Sequence, residues 1–320
     1  MIGTRLRQLA LASLGTSATL VMALGLSGCG GSGNETSEAV VVTEPGSSLP
    51  TTASGSAPPS STAPAATPTT ASTPAATTPA ATPAPAATAK AEGWGTLKGQ
   101  VVFGSAAPPQ EILIEQGKAP KDPEVCAKAG PIKAERLVVD GATKGVKNVL
   151  VYLVKPSNIH PDAKAAAAKA QVVFDQKNCI FEPHVLAIQS GAKIELKSSD
   201  PVNHNVNAKF KSNSPFNSLL AAGQSIPYSP AAAERTPAQV TCDIHPWMLA
   251  YWMVLDHPYF AVTDDKGNFE IKNVPAGASK VVVWHEAAGF VTPNQGDDVS
   301  VAANGTESKT FTVDPGKIRK

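Results

Sequence analysis

Thr241-Cys242-Asp243-Ile244-His245-Pro246-Trp247-Met248 places a thiol, an imidazole and a thioether on one short stretch, as Cys-x2-His-x2-Met. All three side chains are good copper ligands, and few structural needs gather them. Upstream, Asp200-Pro201-Val202-Asn203-His204-Asn205-Val206 offers a second imidazole in a strand-like context. Two imidazoles, one thiolate and a weak axial thioether form the ligand set of a copper site that passes single electrons. Zinc suits this set poorly, because a thioether is a weak ligand for it. The Cys-x2-Cys-His pattern of haem attachment is missing. So are a second cysteine beside Cys242 and the His-x-His pairs of oxidases, which argues for a carrier rather than an enzyme.

Outward from this loop the pattern is mostly β. Met248 to Leu255 runs on as an apolar strand. Leu97 to Phe103, Asn148 to Val154, Gln171 to Phe174, Ala192 to Leu196, Phe269 to Val274, Ala278 to Trp284 and Ser308 to Val313 have strand character. Gly141, Gly191, Asp265-Lys266-Gly267 and Pro275-Ala276-Gly277 mark turns between them. Only Asp162 to Ala170 reads as helical. Many short strands separated by turns predict β-sandwiches.

From about Gln171 to Leu255 the chain resembles a cupredoxin, and its ligand loop is similar to that of amicyanin. Phe181-Glu182-Pro183, then Val185-Leu186-Ala187-Ile188 and Gly191, matches the "F-x-P, apolar strand, Gly" pattern. Ile194-Glu195-Leu196, Ser199-Asp200 and His204-Asn205-Val206 match the region of the first histidine ligand, and the Cys-x2-His-Pro-aromatic-Met loop follows. The resemblance implies that His204, Cys242, His245 and Met248 hold one type 1 (blue) copper. It also implies that Asn205 ties the two ligand loops together near the sulfur. Phe210 to Gln239 does not align with the family.

Ala261 to Gly277 resembles the hairpin of the carboxypeptidase regulatory-like, or transthyretin-like, module: "T-D-x-x-G-x-F-x-I-x-N-V-P-x-G". Gly95-Thr96-Leu97-Lys98-Gly99-Gln100-Val101 fits the module's opening strand, and Val146 to Leu153 fits its second. The resemblance implies an all-β chain, a Greek-key cupredoxin β-sandwich combined with a transthyretin-like β-sandwich. The first is either inserted in the second or arranged in tandem with it. Such two-part chains are similar to methylamine-utilisation-type plastocyanin-like proteins.

Ahead of all this, Arg5 and Arg7 precede an apolar run that ends at Leu26-Ser27-Gly28-Cys29, similar to the lipobox of bacterial lipoproteins. That implies cleavage before Cys29 and lipidation of its thiol. Ser, Thr, Ala and Pro then fill Pro50 to Ala89, which cannot bury enough surface to offset the entropy of ordering. The expected layout is a signal peptide at 1–28 and a disordered linker at 29–92. The first strands of the transthyretin-like module, or the start of the cupredoxin, follow at 93–157. The copper domain takes 158–255 and the carboxypeptidase regulatory-like module 256–316.

Of the four cysteines, Cys29 takes the lipid and Cys242 the metal. Cys126 and Cys179 remain as a disulfide pair in an oxidising compartment, with two buried thiols as the alternative. Among the other histidines, His184 reads as structural, His160 and His257 as loop residues before proline, and His285 as a surface partner of Glu286. With 27 basic and 26 acidic residues the formal net charge is +1, which gives no electrostatic case for nucleic acid.

The function expected is that of an exported, lipid-anchored blue copper protein on the periplasmic or cell-surface side. It would pass electrons through an exposed His245 edge to a redox partner docking near His245, Pro246 and Trp247. A copper-delivery lipoprotein and a surface interaction module with structural copper are the alternatives.

Overall fold

The structure is a computed structural model that describes residues 92–319. The expected signal peptide, Cys29 and nearly all of the linker lie outside the described residues.

The site-bearing half is a sandwich of two sheets. One has the strand order Phe216–Leu220, His204–Lys209, Ala238–Thr241, Leu249–Leu255, Val185–Gln189. The other has the order Ser225–Tyr228, Lys193–Ser198, Gln171–Lys177, Ile180–Glu182. Leu249–Leu255 pairs parallel to Val185–Gln189, and Gln171–Lys177 parallel to Lys193–Ser198, so the chain crosses between the two sheets. Alternation sets the faces. In Lys193–Ser198, Ile194, Leu196 and Ser198 are buried while Lys193, Glu195 and Lys197 are not. Phe174 packs edge-on to Trp252 at 4.8 Å and stacks on Phe181 at 5.1 Å in the middle of this core. Burying each such ring stabilises by about 2–3 kcal/mol.

A second sandwich is assembled from both sides of the first along the chain. Its three-stranded sheet runs Asn268–Pro275, Trp94–Phe103, Thr306–Val313. Its other sheet runs Phe260–Val262, Leu150–Val154, Gly277–His285, Gly289–Phe290, with Asp297–Val301 on the remaining edge of Gly277–His285. Trp94–Phe103 and Leu150–Val154 precede the first sandwich, and the other strands follow it. Gly99 is needed where Trp94–Phe103 passes Thr306–Val313, since a Cβ there would collide with the Lys309 carbonyl.

The two sandwiches meet sheet to sheet. Leu249–Leu255 is apolar on both faces for this reason. Ala250, Trp252 and Val254 enter the first core, while Met253 and Leu255 join Val185, Leu150 and Trp284 in the joint. The helix spans Pro161–Lys169, and the His160 ring accepts from the Asp162 N–H at its start.

The stretch from Phe210 to Gln239 supplies the edge strands Phe216–Leu220 and Ser225–Tyr228, one to each sheet. Its approach is anchored by Glu234, a buried carboxylate that accepts from the N–H groups of Lys211, Ser212 and Asn213 and from Asn213 Nδ2 at 2.9–3.1 Å. Burial pushes this carboxyl up, but the bonds from Asn213, Ser212 and Lys211 outweigh it and hold it below the usual glutamate range. A depressed folded-state pKa stabilises above the unfolded value and is lost as pH falls through the folded one. Glu234→Gln should therefore cost about 1.5–3 kcal/mol at neutral pH. Urea unfolding should show the gap between the two proteins closing as the solution is acidified past that folded pKa.

Candidate metal centre

Cys242 leaves the end of strand Ala238–Thr241, and His204 opens the neighbouring strand His204–Lys209. The loop from Cys242 to Met248 closes on itself: Met248 N–H donates to the His245 carbonyl at 2.9 Å, and Cys242 N–H to the Met248 carbonyl at 3.4 Å. Adjacent strands and a closed loop thus bring His204, Cys242 and His245 together. One ligand atom from each lies within 4.8 Å of the others, and all three residues are buried. The two imidazoles sit 4.6 Å apart, and His245 Nδ1 lies 3.8 Å from Cys242 Sγ. Met248 is buried in the same cluster as Cys242 and Trp252.

Each imidazole gives its Nε2 to a carboxylate: His204 to Asp200 Oδ2 and His245 to Asp122 Oδ2, both at 2.9 Å. That leaves the Nδ1 atoms for a ligand. His204 Nδ1 is buried without a hydrogen-bond partner, which is costly unless something else is bound there. Burial would push the Cys242 thiol up, yet the neighbouring His204 and His245 imidazoles bring it down to about 6. Burial would push His204 down, but Asp200 and Cys242 raise it to about 9. Both shifts favour an anionic sulfur beside a charged imidazole, a pair whose proton a cation would replace. The donor set and the orphaned nitrogen both fit copper.

Asn205 ties the loops through Asp243. Its Nδ2 donates to the Asp243 carboxylate at 2.8 Å, and its Oδ1 accepts from the Asp243 N–H at 2.6 Å. Asn207 and Asn217 donate to the same carboxylate. Asp243 was not visible as a site residue from sequence, because an aspartate on a loop reads as solvated.

The expected exposed edge is absent. His245 is fully buried, because the segment carrying Asp122 lies over the ligand loop and is joined to Cys179 by the Cys126–Cys179 disulfide. Trp247 is half-buried, its indole N–H donating to the Cys179 carbonyl at 3.0 Å, so of the three expected docking residues only Pro246 is exposed. Cys126–Cys179–His245 and Cys179–Asp200–His204 are also close groupings, but their cysteines are spent in the disulfide.

The other histidines lie apart from this centre. His184 is buried, with Nε2 3.0 Å from Glu286 Oε1. His257 Nε2 meets the Leu153 carbonyl at 3.0 Å. His285 departs from expectation. It is fully buried, both ring nitrogens lack partners, and burial pushes it down to about 4, while Glu286 turns to His184 instead.

No protein-family model and no curated protein matches the chain. Similar solved structures include a Cu-containing nitrite reductase from Thermus scotoductus SA-01, at 21% identity and TM-score 0.25. That match covers 27% of this chain and 22% of the reductase. A purple cupredoxin from Nitrosopumilus maritimus matches at 22% identity and TM-score 0.23, covering 27% of this chain and 100% of that one. Amicyanin from Paracoccus versutus matches at 18% identity and TM-score 0.24, covering 33% and 97%. The fold itself is all-β, two sandwiches joined sheet to sheet.

Proposed function

We propose that this chain is a type 1 copper protein that carries single electrons between redox partners. The observation that carries this reading is the buried His204–Cys242–His245 constellation with the His204 Nδ1 left unpartnered. Copper bound there supplies one-electron exchange between its two oxidation states. Cys242 would supply the thiolate, His204 and His245 their Nδ1 atoms, and Met248 a weak thioether donor. Asp200 and Asp122 hold the rings, and Asn205 with Asp243 holds the loop, so the donors stay in place whichever state is present. Burial keeps water away from the donors, which suits a carrier better than a catalyst that must admit substrate.

Anchoring through a lipid on Cys29, with a linker holding the described residues away from a periplasmic or cell-surface membrane, completes the proposal. The second sandwich is the proposed transthyretin-like module. Among the described residues no helix is long and apolar enough to cross a membrane.

Voltammetry of the copper-loaded chain should give a reversible one-electron wave, with the metal retained over repeated cycles. Surrender of the metal to a Cu(I) chelator on first reduction would favour copper delivery instead.

A further inference from the structure

The two carboxylates that hold the imidazoles are both tied to the disulfide. Asp200 Oδ1 accepts from the Asn178 N–H at 2.7 Å, and its Oδ2 accepts from the Cys179 N–H at 2.8 Å while meeting His204 Nε2. On the other side the Asp122 carbonyl accepts from the N–H groups of Val125 and Cys126 at 3.0 and 2.8 Å, and its carboxylate meets His245 Nε2. The half-cystines are therefore hydrogen-bonded to the residues that orient the two rings. Both sulfurs also lie within 4.8 Å of a His245 ring nitrogen.

We infer that Asp122, Asp200 and the Cys126–Cys179 disulfide form one brace around the metal centre. In this brace Asp122 and Asp200 are positioning residues that bias the site towards oxidised copper, and the disulfide keeps the His245 edge closed to solvent. This rests on the copper reading above. The physical cause is direct. A carboxylate on the outer nitrogen fixes the ring and makes the inner nitrogen a stronger donor, and a stronger donor favours the more highly charged ion. An imidazole facing water has no such fixed partner. A disulfide at this spot also explains why the covering segment holds its place, since it contributes only the short pair Ile112–Ile114 and Ile132–Lys133 to any sheet.

The brace differs from a general field of negative charge, and that difference can be tested. Asp122 is the better probe, because its side chain is 23% exposed whereas that of Asp200 is only 6% exposed. Glu124, an exposed carboxylate on the same segment, provides the charge control. In the full chain, Asp122→Asn should weaken the hold on oxidised relative to reduced copper by about tenfold or more, as loss of an outer partner does. That is an upward shift of about 59 mV in reduction potential for each tenfold. Glu124→Gln should leave the potential near the wild-type value. Equal shifts in the two variants, or none in Asp122→Asn, would overturn the brace.

The metal-free chain supplies an independent reading. Carbethoxylation of His245, read by mass spectrometry, should be slow in the wild type and at least about tenfold faster in Cys126→Ser/Cys179→Ser, which frees the cover. Equal labelling overturns the inference. Should the wild type take up no copper, the proposed function fails, and the labelling comparison still decides whether the cover is held by the disulfide.

Discussion

Cys242→Ser abolishes the intense visible absorption of the copper-loaded chain and weakens copper binding by more than about 100-fold. That loss exceeds what removal of an outer-shell partner costs. The reason lies in the donor set. The neighbouring His204 and His245 imidazoles already favour the thiolate of Cys242 before any metal arrives, whereas a serine hydroxyl stays protonated and is a poor donor to copper. The backbone around it is independent of the sulfur, because the Asn205 side chain holds the Asp243 N–H and the Met248 main chain bonds to Cys242 and His245. The variant should therefore keep its far-ultraviolet circular dichroism. A variant that keeps the coloured band, or one that unfolds on loss of the thiol alone, would contradict this assignment.

Cys126→Ser/Cys179→Ser should lower stability by about 4 kcal/mol in the chain-entropy model, because the bond closes a loop with a sequence separation of 53. That loop contains Leu150–Val154 of the second sandwich and the helix Pro161–Lys169. Opening it should loosen the cover over the ligand loop as well as enlarge the unfolded ensemble. Urea unfolding of the metal-free double variant measures the first effect. A loss below about 1 kcal/mol would mean that the cover stands without the bond and that its packing alone holds Asp122 on His245.

The ligand loop was legible because three ligand types stood in order at fixed spacing, with a second histidine upstream, on a chain whose strands alternate cleanly. Lys193–Ser198 and Asn268–Pro275 show that alternation in their burial. What the sequence could not display were pairings with no local signal. Trp94–Phe103 lies parallel to Thr306–Val313, and nothing near either strand announces the other. The covering segment was equally hidden. Asp122 sits among other charged residues without periodicity, and Cys126 alone marks the place, naming its partner but not what the bond lies across. His285 was misread because sequence neighbours suggest contact. On an extended chain successive side chains point apart, so His285 is buried while Glu286 reaches His184.

Edge strands explain the remaining difficulty. Phe216–Leu220 and Ser225–Tyr228 are only partly buried, and Leu219 is 60% exposed. Their patterning is correspondingly weak. The carboxylate that organises their approach, Glu234, looked like any surface acid, and only its ring of backbone donors reveals its part.

The central claim is that His204, Cys242, His245 and Met248 hold one copper. Titrating Cu(II) into the metal-free full chain, followed by visible absorption, tests it most directly. The account predicts an intense blue thiolate-to-copper band that saturates at about one equivalent and vanishes on reduction. A folded chain that stays colourless through the titration would contradict it.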